Sequence, residues 1–147
     1  MSVLKIKKLR KNAKIPYRAT PGSAGMDLYA CLDEAVTIAP QKIAVIPTGI
    51  ALALESAEYV ALIYARSGLA IKHGIAPANC VGVVDSDYRG EVCVGLINQT
   101  DAPYTVAPGE RIAQMVIAPV ELPVIEVVDD LDETDRGAGG FGSTGKN

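Results

Sequence analysis

Short apolar runs broken by turn residues give this chain its rhythm. Leu4-Lys5-Ile6-Lys7 alternates with period two, as a strand with one wet face does. Ala44-Val45-Ile46 and Ile50-Ala51-Leu52-Ala53-Leu54 flank a Pro47-Thr48-Gly49 turn. Tyr59 to Tyr64, Val92 to Ile97, Ile112 to Ile117 and Val124 to Val128 continue the series. Fourteen glycines and nine prolines separate these runs at strand-length intervals. Only Ser67 to His73 reads as helix, with room for about two turns. Many short strands with one short helix predict an all-β protein, a barrel or jelly-roll sandwich. No internal repeat or linker divides it, so residues 1–136 read as a single β domain.

Composition narrows the picture. A chain of 147 residues can bury a real core without staples. It is 49% hydrophobic but only 5% aromatic, so that core must be aliphatic. The three cysteines form no CxxC pair and leave an odd count, which suits free thiols in a reducing compartment. A single His argues against zinc. No run approaches the ~20 apolar residues of a membrane helix. The basic start is not followed by an apolar segment, so no signal peptide is expected. A soluble, cytoplasmic protein is the expectation. Seven of the 14 basic residues lie between Lys5 and Arg18, which reads as a solvated strand face. The overall charge of -3 argues against non-specific nucleic-acid binding.

The final stretch follows a different rule. Five of the eleven residues from Gly137 to Asn147 are glycine, so 137–147 is expected to be a tail that is mobile when empty. Phe141, the only Phe, sits there with no core to enter, which suggests a stacking partner from outside. Gly140 to Lys146 nearly matches the phosphate-loop pattern, with Asn147 in place of the final Ser or Thr. No strand leads closely into it and no helix is expected after it, which excludes the true phosphate-loop fold. The physics can survive without that fold. Glycines let backbone amides approach a phosphate, while hydroxyls and Arg136 donate hydrogen bonds.

Four further segments carry possible chemistry. In Ala65-Arg66-Ser67-Gly68-Leu69-Ala70, Ser67 reads first as an N-cap. Free amides, a hydroxyl and a neighbouring Arg also suit an anion. Asn79 to Ile97 reads as a β-hairpin with Asp85 to Gly90 at its bend. Asp and Gly are ordinary turn formers, yet a carboxylate there is rigidly held and can orient and deprotonate a water. Ala24 to Ala30 places Asp27 ahead of an apolar run, and Gly109 to Met115 feeds a strand in which Gln114 reads as an outward-facing position.

Together these five segments closely resemble the five ordered motifs of the trimeric deoxyuridine triphosphatases. AGMDLYA, RSGLA, GVVDSDYRGEV, GERIAQM and RGAGGFGSTG stand in the family's order between about Ser23 and Gly145. The resemblance implies a magnesium-dependent jelly-roll homotrimer that hydrolyses dUTP to dUMP and pyrophosphate. It also implies sites built from all three chains, with the tail reaching a neighbouring subunit. Such activity limits uracil in DNA and supplies dUMP for dTMP synthesis. By position, Asp85 resembles the base that activates water for attack on the α-phosphorus. Tyr88 resembles the residue packed against deoxyribose. Asn79 and the backbone of Val83, Val84 and Cys93 would read uracil. Arg66, Ser67, Gly68 and Gln114 match phosphate binders, and Asp27 matches the residue holding Mg²⁺ through water. In the tail, Arg136, Ser143 and Thr144 would hold the γ-phosphate while Phe141 stacks on uracil, with Gly142 also among the substrate-binding residues.

Rival readings explain less. A dCTP deaminase resembles this fold and binds a similar nucleotide, but the glycine-rich tail and the DSDYRGEV segment look triphosphatase-like. A non-catalytic nucleotide-binding module of the same fold has no use for Asp85 and a complete tail. A structural jelly roll such as a coat protein leaves the tail and the Arg-Ser-Gly segment unexplained.

Overall fold

A computed structural model describes residues 3–140 of the chain. The expectations for Phe141, Gly142, Ser143 and Thr144 lie outside the described residues. Along the chain run β1 (Lys5–Lys8), β2 (Met26–Tyr29), β3 (Val36–Ile38), β4 (Ile43–Pro47), β5 (Ile50–Ala53) and β6 (Tyr59–Tyr64). After α1 (Ser67–His73) come β7 (Ile75–Pro77), β8 (Gly82–Val84), β9 (Cys93–Asn98), β10 (Tyr104–Val106) and β11 (Arg111–Pro119). Among the described residues the fold is all-β and jelly-roll-like, with one short helix.

Every strand pairing is antiparallel. The largest sheet has the order β2-β11-β6-β8, and a second runs β4-β9-β7. Two-stranded ladders β1-β5 and β10-β3 complete the layers. Between them lies an aliphatic core in which Leu28, Ile38, Ile46, Ile50, Leu96 and Met115 are fully buried. Burial follows the alternation of the strands: in β9, Val94, Leu96 and Asn98 turn inward. Asn98 is tolerated there because all its polar atoms are satisfied. Its Nδ2 donates to the carbonyls of Ile38 and Ala102 (3.0 and 2.7 Å), and its Oδ1 accepts from Thr100.

Three expectations need correction. Val124 to Val128 is not a strand: residues 121–138 are exposed, with Val124 at 95% and Val127 at 93%. Its periodicity fits a strand, but a strand needs a partner edge, and among the described residues this segment pairs with none. The segment Asn79–Ile97 is not a paired hairpin either. β8 pairs with β6, while β9 is flanked on both edges by β4 and β7. The bend from Asp85 to Val92 therefore crosses from one sheet to the other. Finally, Ser67 is the first helical residue and not the N-cap; Arg66 holds that place, with no side-chain capping bond. The strands β3, β7 and β10, three residues each, were too short to carry a readable period.

Among the described residues, no helix is long and apolar enough to cross a membrane.

Candidate active site

Two clefts collect the chemistry. The first, about 380 Å³, is formed where β2, β11 and β6 lie side by side. Register sets Asp27 opposite Gln114 and Gln114 opposite Tyr64. Because β6 runs directly into α1, Arg66, Ser67 and Gly68 emerge at the same end. Asp27 accepts from Arg66 Nε at 2.8 Å through one oxygen and from Arg111 at 3.2 Å through the other. Its side chain keeps 14% exposure, so it is sheltered without being sealed. Gln114 is half-buried, against the outward-facing reading, and donates through Nε2 to the Ala65 carbonyl at 2.9 Å. That pose depends on Gly25, where a Cβ would lie 3.2 Å from Gln114 Cδ and collide with its amide oxygen. The cleft thus presents cations, a hydroxyl and helix-start amides, a set suited to phosphate.

The second cleft, about 280 Å³, is mostly apolar and lies at the crossing between sheets. Val83, Val84, Asp85, Tyr88, Glu91, Val92 and Cys93 line it. Val84 ends β8 and Cys93 begins β9, so both walls are fixed by ladders. The bend itself is tied down at Glu91. Its carboxylate accepts from Gly49 N–H at 2.8 Å and from Arg10 at 3.4 Å, and its carbonyl accepts from the Tyr88 hydroxyl at 3.0 Å. Asp85 is exposed at the cleft, and no side-chain hydrogen bond holds its carboxylate among the described residues. Burial, and then the nearby Glu91, push the Cys93 thiol up against the lowering effect of Arg10. It is therefore neutral near pH 7 and a poor nucleophile.

The remaining expected site residues stand apart. Asn79 is exposed and lines neither cleft, its carbonyl accepting from Val81 N–H at 2.7 Å. Arg136 is exposed within a turn from Thr134 to Gly139, donating to the Gly139 carbonyl at 3.0 Å. Sequence reasoning missed Arg111 and Glu91. Both were legible only as charges beside a turn, since their partners lie 84 and 42 or more positions away.

The family model for dUTPase matches residues 11–145. The chain belongs to the dUTPase family. It is similar to the deoxyuridine 5'-triphosphate nucleotidohydrolase of Desulfitobacterium hafniense, at 55% identity over 97% of this chain and 95% of that one. The enzyme of the same name from Paraburkholderia phytofirmans is 50% identical over 98% and 97%. Among solved structures it resembles the Staphylococcus bacteriophage 80alpha dUTPase with dUpNHpp, with a TM-score of 0.88 and 30% identity over 97% of this chain and 98% of that one. It also resembles a variant of the dUTPase from phage phi11 of S. aureus, described with a structural Mg(II) ion. That likeness has a TM-score of 0.80 at 25% identity, over 89% of this chain and 99% of that one.

Proposed function

We propose that this dUTPase-family protein hydrolyses dUTP to dUMP and pyrophosphate by in-line attack of water on the α-phosphorus. The observation that carries the reading is the division of labour between the clefts. A mostly apolar cleft with the Asp85 carboxylate exposed at its edge, and that of Glu91 engaged with Gly49 and Arg10, suits a base, a sugar and an activated water. A polar cleft with Arg66, Ser67, Gly68 and Gln114 suits a polyphosphate. Asp85 takes the water's proton as its oxygen bonds to phosphorus; the bond from phosphorus to the β-phosphate oxygen breaks and pyrophosphate leaves.

The backbone of Val83, Val84 and Cys93, with Asn79, reads uracil. Cytosine would leave buried donors unpaired, at a cost of ~1–3 kcal/mol per group. The narrow wall excludes the thymine methyl by clash. Tyr88 lies against the deoxyribose, while Arg136 and the tail hold the terminal phosphate.

Magnesium fits the donor chemistry on one condition. Asp27 offers a hard carboxylate oxygen, as magnesium prefers, but both its oxygens already serve guanidinium groups. Asp27 would therefore hold the ion through water, using a remaining lone pair. Bound there, Mg²⁺ would neutralise phosphate charge.

The assembly is a homotrimer in which the tail of one chain closes over a site of its neighbour. The support is an uncovered segment, residues 121–138, carrying exposed Leu122, Val124, Ile125, Val127 and Leu131. Three free thiols, Cys31, Cys80 and Cys93, fit a cytoplasmic setting.

A panel of dUTP, dTTP, dCTP and UTP with pyrophosphate detection tests the reading. Rapid turnover of dUTP alone is expected. Ammonia release from dCTP, or preference for another nucleotide, would overturn it.

A further inference from the structure

The bend between β8 and β9 contains a glycine that its backbone does not require. Gly90 lies outside the left-handed region that favours glycine, so its φ does not call for glycine. The reason for glycine is on its other side. A Cβ built there would lie 2.6 Å from Tyr88 Cζ and 3.0 Å from Cε2, and would overlap the phenolic oxygen. The Tyr88 ring therefore rests directly on the bare Cα of Gly90. The hydroxyl is tethered one residue further on, at the Glu91 carbonyl, 3.0 Å away. Seat and tether together fold the ring back along its own loop, at the edge of the apolar cleft that it lines. Tyr88 as a whole is 45% exposed, so a group pushing from Gly90 meets a side chain with room to move toward solvent.

We propose that Gly90 is a specificity-determining residue: it seats the Tyr88 ring where that ring closes the cleft to a ribose 2′-hydroxyl. This rests on the reading of the cleft as the site for uracil and deoxyribose. Gly90 touches no substrate; it acts by fixing how close the ring stands to the sugar. Steric exclusion of one oxygen is sensitive to displacements of about an ångström, because a wall that retreats that far leaves room for the added atom.

The test is a double-mutant cycle on the full chain, with kcat/KM measured for dUTP and UTP and dUMP affinity measured beside them. Native protein should prefer dUTP; if it does not, the reading of the cleft itself fails. Gly90→Ala should lower the dUTP/UTP ratio by about tenfold or more, mainly through a rise with UTP. In a Tyr88→Ala background the same change should alter the ratio less than about twofold, since the ring it acts through is gone. An unchanged ratio in Gly90→Ala, or an equal drop in both backgrounds, overturns the proposal. Should Gly90→Ala no longer bind dUMP, Tyr88→Phe decides. Loss of the tether should lower the ratio by about threefold or more, and an unchanged ratio sinks the idea of a held ring.

Discussion

The two clefts solve different problems with different materials. The polar cleft is made of long side chains: Arg66 and Arg111 converge on Asp27, and Gln114 spans to Ala65. The apolar cleft is made of strand ends and a bend fixed at Glu91. Guanidinium groups can follow a moving triphosphate, because charge attracts over several ångströms. Discrimination between uracil and its analogues needs walls that do not follow at all. In the proposed reading, affinity comes chiefly from the side chains of the polar cleft and selectivity from the fixed walls of the apolar one, Tyr88 included, and the substitutions below separate the two.

The largest effect belongs to the carboxylate at the edge of the rigid cleft. Asp85→Asn should cut turnover by about 10²–10⁴-fold or more while dUMP binding, measured by calorimetry, changes little. Near-native turnover would reduce Asp85 to a turn residue. Deleting residues from Gly137 onward comes next. Turnover should fall by on the order of a hundredfold, because the triphosphate is no longer held in line, while dUMP still binds. Full activity would leave the tail without a role. Arg66→Lys probes the polar cleft alone. The Nε bond to Asp27 and the planar set of guanidinium donors are lost, so kcat/KM for dUTP should fall by roughly tenfold, with the preference over dTTP and UTP unchanged. A shift in that preference would mean that the clefts are not separable. The smallest effect is expected at Cys93. If the backbone alone is used there, Cys93→Ser should leave kcat/KM within about twofold of native.

How much of this was legible beforehand depended on the range of the interaction. Strands β5 and β6 and the helix α1 follow from local periodicity, and the structure has them within a residue or so of their expected bounds. The pairing partner of a strand is not local. Asn79 to Ile97 therefore read as a hairpin, although β9 has both edges filled by β4 and β7. The same limit hid Arg111, whose meaning comes from Asp27 across a sheet. Asp27, Asp85 and Gln114 could be named from the five ordered motifs; residue chemistry alone gave each an ordinary turn or strand role. Val124 to Val128 has the composition of a strand but pairs with none of the described residues.

In the proposed trimer, that uncovered arm ties the protein's durability to its abundance. The N–H of Val120 donates to Glu58 at 2.8 Å, the last backbone bond joining the arm to the body among the described residues. Beyond it, Leu122, Val124, Ile125, Val127 and Leu131 leave their apolar surface in water. In the proposed trimer this surface is covered only by other copies, so mass action enters the folding equilibrium. Each tenfold dilution then costs about 0.9 kcal/mol per chain, two-thirds of the free energy of one factor of ten. The midpoint of thermal unfolding becomes a property of the solution as much as of the sequence. A cell that makes little of this protein holds it nearer to its unfolding limit than one that makes a great deal.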